Sequence, residues 1–168
     1  MDYETALWPR SQHFARTFHV RSGAKSGTAF CVDVDNKQYL VSALHVVEEA
    51  ASTALLEVWS SNAWKAFNVN LVGYDSIADV AVFALMQRMT TAANIPLGSD
   101  GCITGQAIFF LGYPLGIRGY GVQPQGFPIA TVKRGVVSLN IPTDLRDFYI
   151  SASVNPGFSG GPVFFLTN

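Results

Sequence analysis

The chain has 168 residues, of which 49% are hydrophobic and 14% charged, and its formal net charge is −1. Disordered chains are richer in charge and poorer in apolar residues, so this composition excludes a disordered protein. The length suits a single domain, residues 1–168, with a sizeable hydrophobic core. No run of Lys and Arg exceeds two residues, so we expect no nucleic-acid partner.

The N-terminal region does not resemble a leader sequence. Residues 1–23, MDYETALWPRSQHFARTFHVRSG, are interrupted throughout by polar and charged side chains. The chain has no stretch of about 18 apolar residues, so no membrane-spanning segment is expected. Two cysteines, Cys31 and Cys102, do not make a disulfide framework. These features favour a cytoplasmic location, although a secreted chain stripped of its signal would look the same.

Short β-branched or aromatic segments separated by turn residues predict strands along most of the chain. Asp35-Asn36-Lys37 and Ser61-Asn62 are predicted turns, residues 45–51 predict one or two helical turns, and residues 85–93 are ambiguous. Residues 112–128, with five Gly and three Pro, predict a loop. The predicted strands cover residues 28–34, 39–43, 54–60, 64–72, 80–85, 106–111, 129–139, 148–152 and 162–166.

Regularly spaced short strands and few helices predict an all-β sandwich or barrel. We place a linker at residues 89–100, between the predicted strands 80–85 and 106–111. The linker divides the chain into two similar β subdomains, residues 12–88 and 101–168.

The strongest local motif is NPGFSGGPV, residues 155–163. Glycines and prolines around one serine predict a tight turn that presents the hydroxyl and aims successive backbone N–H groups at one point. The alternative is a plain Gly-rich hairpin with an incidental serine. Ser159 also fits the G-x-S-x-G pattern of α/β-hydrolases, but every histidine precedes it, and that fold requires the order Ser, acid, His.

The order His, Asp, Ser is another arrangement that serves nucleophilic catalysis. His45 lies in LVSALHVV just after a predicted strand, and Asp79 precedes a buried strand in IADVAVFAL. Taken singly, His45 suits a structural histidine and Asp79 a turn residue. Their joint occurrence with Ser159, in this order on a β-rich chain, predicts a catalytic triad.

These motifs resemble those of trypsin-like serine proteases, in particular the protease domains of high-temperature-requirement proteins. SALHVV resembles the family's histidine box, ADVAVFAL its aspartate box and SVNPGFSGGPV its serine box. The resemblance covers roughly residues 23–165. It implies two antiparallel six-stranded Greek-key β-barrels with the active site between them, the second barrel being truncated at the C-terminus.

The resemblance also implies roles for named residues. Ser159 is expected to be the nucleophile, His45 its base and Asp79 the group that orients the imidazole. The N–H groups of Gly157 and Ser159 are expected to form the oxyanion hole.

Specificity follows from the same resemblance, which places Ser153 at the base of the primary substrate pocket, flanked by Ala152 and Val154. These residues carry no charge, so we expect small or apolar residues at the cleaved position.

The chain departs from the family at two points. Phe158 replaces the small polar or acidic residue before the serine, so it either distorts the oxyanion hole or packs beneath the loop. Activation by pairing of a freed N-terminus with an aspartate there is excluded. The family also continues for about two strands beyond the serine box, so we expect a fragment, strands supplied by another chain, or poor peptide cleavage, and favour the fragment.

The leading hypothesis is therefore a serine endopeptidase that acts on proteins or peptides through an acyl-enzyme, without a cofactor. His13 and His19 lie in an early strand without metal-ligand spacing, so no metal is expected. The alternatives are a non-catalytic trypsin-like module that binds peptides or proteins with an impaired oxyanion loop, and an esterase on the same fold. The sequence makes no prediction of oligomeric state.

Overall fold

The computed structural model describes residues 9–123, 125–140 and 148–165. Two α-helices, a 3₁₀ turn at Pro114–Gly116 and twelve strands are found in this part of the chain. The helices are α1 (Ser11–Phe14) and α2 (Leu44–Thr53). The strands are β1 (Thr17–Ser22), β2 (Lys25–Val34), β3 (Lys37–Ala43), β4 (Leu55–Ser60), β5 (Ala63–Asp75), β6 (Val80–Leu85), β7 (Ala107–Gly112), β8 (Gly119–Val122), β9 (Pro128–Ile129), β10 (Thr131–Asn140), β11 (Phe148–Ser151) and β12 (Val163–Phe164).

The first six strands close into an antiparallel barrel in the order β1-β2-β3-β6-β5-β4. Two of its two-residue hairpins turn at predicted positions, Asp35-Asn36 (φ 48° and 61°) and Ser61-Asn62 (φ 51° and 62°). Two consecutive positive φ angles are the mark of a type I′ turn, whose twist matches that of the flanking strands. Alternate residues of these strands fill the barrel core, together with the buried side chains of α2 that face it.

The second half contains a four-stranded antiparallel sheet in the order β11-β10-β7-β12 and a separate β8–β9 hairpin. The predicted all-β class with a complete first barrel and a partial second one is confirmed. The prediction of a loop at residues 112–128 was wrong in part, because this stretch contains the 3₁₀ turn and most of the β8–β9 hairpin. Residues 86–106 contain no helix or strand, and the subdomain boundaries stay a prediction.

The β8–β9 segment contacts the first barrel through the side chain of Phe127 and a backbone hydrogen bond of Gly126. Phe127 is 3% exposed and belongs to the core of that barrel, where its ring lies edge-on to Phe18 at 4.8 Å. The N–H of Ser61 donates to the carbonyl of Gly126 at 2.8 Å. Phe127 of the second half therefore belongs to the core of the first barrel. Other buried residues of the second half form separate clusters, one with Cys102, Ile108 and Val137 and one with Leu111, Tyr113 and Ala130.

A second connection between the halves is built around His19 on β1. Its ring stacks on Tyr113 (5.0 Å between centroids), and its Nδ1 accepts a hydrogen bond from Arg118 Nε at 3.0 Å. The Arg118 guanidinium in turn lies 3.6 Å from the centroid of the Trp59 ring. Burial, with the nearby Arg118 charge, lowers the pKa of His19 to about 4.

This lowered pKa predicts an acid-dependent loss of stability. An unfolded histidine titrates near 6.5, so the unfolded chain takes up a proton that folded His19 does not accept until the pH approaches 4. The His19 contribution to the free energy of unfolding should therefore fall by about 2 kcal/mol between pH 7.5 and pH 5. Urea titrations of the wild type and of His19→Gln at each pH isolate this contribution, since the other groups titrate in both. Parallel stability profiles for the two proteins would contradict the assignment.

Candidate active site

Asp79 lies directly before β6, next to the end of β3, and its hydrogen bonds fix the first turn of α2. Its backbone has φ 53°, and the pairing of Ala43 with Val80 places it beside the helix start. The Asp79 carbonyl accepts from the Leu44 N–H at 3.0 Å, and its Oδ1 accepts from the His45 N–H at 2.9 Å. The first N–H groups of a helix have no partners within it, so Asp79 satisfies two of them from outside.

The second carboxylate oxygen of Asp79 contacts the ring of His45. The distance from His45 Nδ1 to Asp79 Oδ2 is 2.5 Å. Burial raises the pKa of Asp79, but hydrogen bonds from the ring and backbone of His45 more than offset this, and the net pKa is lowered. Asp79 is thus held as a carboxylate, which fixes the proton of His45 on Nδ1 and leaves Nε2 as the acceptor nitrogen. Both side chains are about half exposed, at 54% and 45%, so a substrate has access to them.

Ser159 lies in the segment between β11 and β12, directly after a turn at residues 155–158. The Phe158 N–H donates to the Asn155 carbonyl at 3.4 Å, and Gly157 has φ 107°. Proline second and a positive-φ glycine third are the pattern of a type II turn. A Cβ at Gly157 would lie 2.3 Å from the Tyr113 carbonyl oxygen, so only glycine fits here.

The hydrogen bonds accepted by two carbonyls of this loop set the directions of the Gly157 and Ser159 N–H groups. The Pro156 carbonyl accepts from the Leu115 N–H at 2.8 Å, and the Phe158 carbonyl accepts from the Gly161 N–H at 2.9 Å. A trans peptide points its N–H opposite to its carbonyl, so the N–H of Gly157 points away from Leu115 and that of Ser159 away from Gly161. Within the described part of the chain, neither N–H meets an acceptor.

Thr28 on β2 holds this segment against the first barrel. Its N–H donates to the Ser159 carbonyl at 2.9 Å, and its Oγ1 donates to the Gly157 carbonyl at 2.7 Å. The same Oγ1 accepts from the Tyr113 N–H at 3.2 Å. Thr28 is fully buried, so these bonds are made out of contact with water.

Gly160 completes the contact at the end of β3, next to His45. Its φ is 81°, and a Cβ there would lie 2.1 Å from the Thr28 carbonyl oxygen and 2.7 Å from the Ala43 nitrogen. Nearby, a Cβ at Gly27 would lie 3.0 Å from the Ser159 carbonyl oxygen and 2.8 Å from a methyl of Val46. The backbone of Ser159 therefore lies beside the residues that flank His45.

The aromatic ring of Phe158 packs beneath the loop, which decides between the two expectations for it. It is 6% exposed and lies edge-on to Phe110, with 5.1 Å between the ring centroids. The ring and backbone of Phe158 fill the space beside Gly112, where a Cβ would lie 2.6 Å from the ring. The side chain thus packs on the sheet that carries Phe110 and Gly112.

The three residues expected to form the primary pocket lie on an open surface. Ser153 and Val154 are exposed and Ala152 is half-buried. Lys133, which the sequence analysis did not single out, donates from Nζ to the Ser153 carbonyl at 2.6 Å and to Asn155 Oδ1 at 2.8 Å. A cation therefore borders this surface.

The structure brings His45 and Asp79 into contact and places the Ser159 backbone beside them. In the described part of the chain, however, no hydrogen bond joins the Ser159 hydroxyl to the His45 ring. Such bonds are often long without substrate and tighten in the complex. Sequence reasoning missed Thr28 and Lys133. The alternation of β2 places Thr28 on the face opposite to the core residues Ala29 and Cys31, so it gave no signal that Thr28 would be buried.

Across residues 9–123, 125–140 and 148–165, no group of three or more His, Cys, Asp or Glu side chains is placed to hold a metal ion. Among the same residues, no helix is long and apolar enough to cross a membrane.

Comparison with known structures supports the fold. HtrA-type protease AlgW with a tripeptide superposes with a TM-score of 0.65 at 24% identity, over 92% of this chain and 48% of that one. The inactive form of the Rv3671c protease superposes with a TM-score of 0.61 at 23% identity, over 92% of this chain and 74% of that one.

Sequence comparisons identify the family. Residues 27–167 match the Trypsin-like peptidase domain. The chain is 33% identical over 146 residues to Serine protease Do-like HtrA of Bacillus subtilis (strain 168), covering 84% of this chain and 31% of that protein. It is 30% identical over 139 residues to Serine protease HtrA-like of Staphylococcus aureus (strain USA300), covering 74% and 16%. The chain thus spans a third or less of the length of these relatives. The resemblance seen in the motifs is confirmed, and the chain belongs to the trypsin-like peptidase family, alongside serine proteases of the HtrA type.

Proposed function

We propose that this chain is a serine endopeptidase in which Ser159 is the nucleophile, His45 the base and Asp79 the orienting acid. The observation that carries the proposal is the His45–Asp79 pair, at 2.5 Å, beside a serine loop that is docked on the same barrel edge. Membership of a serine peptidase family supports the same chemistry. Protein or peptide substrates follow from that family.

The proposed reaction runs through an acyl-enzyme. As Ser159 Oγ attacks the scissile carbonyl carbon, its proton passes to Nε2 of His45, and Asp79 stabilises the imidazolium that forms. The imidazolium then gives the proton to the leaving amine as the C–N bond breaks. Water repeats the sequence on the ester, which releases the acid and restores Ser159. The N–H groups of Gly157 and Ser159 are proposed to bind the oxyanion.

The alternative of a binding module with an impaired oxyanion loop is less well supported. It rested on two features, the short stretch of chain after the serine box and Phe158, and the buried ring of Phe158 packs on the sheet against Phe110. The Gly157 N–H, which meets no acceptor in the described part of the chain, favours catalysis, because an oxyanion hole needs donors that are not engaged within the protein.

Replacement of the nucleophile tests the proposal. Ser159→Ala should reduce turnover of a peptide or ester substrate by on the order of 10⁶, since loss of the nucleophile costs about this much in a comparable triad. Fluorophosphonate labelling should be lost in parallel, whereas Ser138→Ala, at an exposed serine on β10, should behave like the wild type. A folded wild-type protein that binds peptides but is not labelled would favour the binding module. Turnover of ester substrates but not of peptide substrates would favour an esterase.

The contact between Gly160 and the first barrel gives a second test. Gly160→Ala should destabilise the protein by at least about 2 kcal/mol more than Gly105→Ala and should lower activity, since the new methyl group pushes the serine loop from the barrel. Gly105 is a matched control because its φ of 88° is similar to the 81° of Gly160, yet a Cβ there would meet nothing within 4 Å. Urea unfolding measures the difference, and equal costs at the two positions would contradict the tight contact.

We propose that the enzyme prefers substrates with a small or apolar side chain at the cleaved position. Ala152, Ser153 and Val154 offer no counter-ion, and a basic substrate side chain would meet the Lys133 ammonium. We expect kcat/KM for cleavage after Val or Ala to exceed that after Arg or Lys by at least about tenfold in matched peptides. Ser153→Asp should narrow this ratio by adding a counter-ion. Faster cleavage after Arg or Lys in the wild type would refute the preference.

A further inference from the structure

Two ends of the turn at residues 155–158 are held by the same cross-strand pair. Lys133 on β10 lies directly opposite Phe110 on β7. Lys133 Nζ donates to the side chain of Asn155, the first residue of the turn, at 2.8 Å. The ring of Phe158, the last residue of the turn, lies 5.1 Å from the Phe110 ring and 5.4 Å from Lys133 Nζ.

The contacts of the Lys133 ammonium differ from the carboxylate ion pairs that surface lysines commonly make. Its ammonium donates to a backbone carbonyl and an amide oxygen and lies within cation–π range of an aromatic face. Within the described residues it makes no ion pair with a carboxylate. Among the described residues, the hydrogen bonds and the cation–π contact of the ammonium are thus all with residues 153–158, and Lys133 is half-buried.

The conformation of this turn decides where the Gly157 N–H points. A type I turn uses a negative φ at the third residue, and its central peptide is rotated by about half a turn relative to type II. That rotation would move the Pro156 carbonyl away from the Leu115 N–H, from which it accepts at 2.8 Å, and would turn the Gly157 N–H toward Leu115 instead. A contact that fixes both ends of the turn resists this change.

We propose that Lys133 is a positioning residue that keeps the turn in its type II form and so keeps the Gly157 N–H available for the oxyanion. The inference rests on the proposed function, since it gives Lys133 a role in the same reaction. Lys133 acts through the loop and does not touch the reacting atoms. The Lys133 ammonium belongs to β10, which lies in the same sheet as β11 and β12, the two strands on either side of the loop.

Lys133→Met keeps an unbranched side chain that is one atom shorter and removes the ammonium. It should lower kcat by about 10²-fold, the cost of one oxyanion donor, with KM changed by less than about threefold, because the oxyanion forms after substrate binding. Lys133→Arg keeps a donor cation and should recover most of kcat. Arg134→Met removes a neighbouring charge that is exposed on the same strand, and kcat should stay at the wild-type value.

Hydrogen exchange tests the same inference independently of activity. The Phe158 and Gly161 amides are hydrogen-bonded within the loop, and Lys133→Met should speed their exchange at least about tenfold relative to Arg134→Met. If Lys133→Met does not fold, Lys133→Gln takes its place in both measurements. Equal exchange in the two variants, or wild-type kcat in Lys133→Met, overturns the inference. Absence of Ser159-dependent activity in the wild type would instead refute the proposed function, and the exchange measurement would still decide the role of Lys133.

Discussion

The geometry of the candidate site depends on the way one buried threonine is shared between the two halves of the molecule. Thr28 belongs to β2 of the first barrel, yet its N–H and its hydroxyl donate to the carbonyls of Ser159 and Gly157. Its own carbonyl accepts from Ser42 at 2.7 Å. A buried polar group left without a partner costs about 1–3 kcal/mol, so any shift of the serine loop would leave several groups unpaired at once. The loop is therefore held in register with the barrel that carries His45 and Asp79.

Most of the first barrel was predictable because its strands are bounded by turns with a clear chemical signature. Asp35-Asn36 and Ser61-Asn62 are polar pairs that tolerate positive φ, and the strands between them alternate buried and exposed side chains. The exact run of β1 was not predicted, although its sequence TFHVRS places apolar Phe18 and Val20 between polar residues. Its polar His19 is buried against Tyr113 and Arg118 of the second half, which local sequence does not indicate. The β8–β9 hairpin was missed for a different reason: glycine and proline usually mark loops, and its pairing is stabilised by tertiary contacts such as that of Phe127.

The residue types of the site could be predicted from their order in the chain, but their arrangement could not. The β3–β6 register that puts Asp79 beside Leu44 is fixed by barrel closure, a property of all six strands together. The bond from Thr28 to Gly157 spans 129 residues and ends on a backbone carbonyl, which has no sequence signature. Lys133 escaped notice for the same reason, since one of its acceptors is a backbone carbonyl and its nearest aromatic neighbours belong to other segments.

Phe158 shows how a departure from a family pattern can change the way a loop is held without changing what the loop presents. A small polar side chain before the nucleophile needs a charged or hydrogen-bonding partner to fix it. A buried phenyl ring is instead fixed by burial itself, which contributes about 25 cal/mol per Å² of apolar surface, and by its edge-on contact with Phe110. Apolar burial is non-directional, so the ring by itself would tolerate rotation of the turn above it. The directional constraints come from the bonds of Thr28 and Lys133 to the backbone and to Asn155. Packing thus holds the loop on the sheet, and hydrogen bonds set the orientation of its peptides.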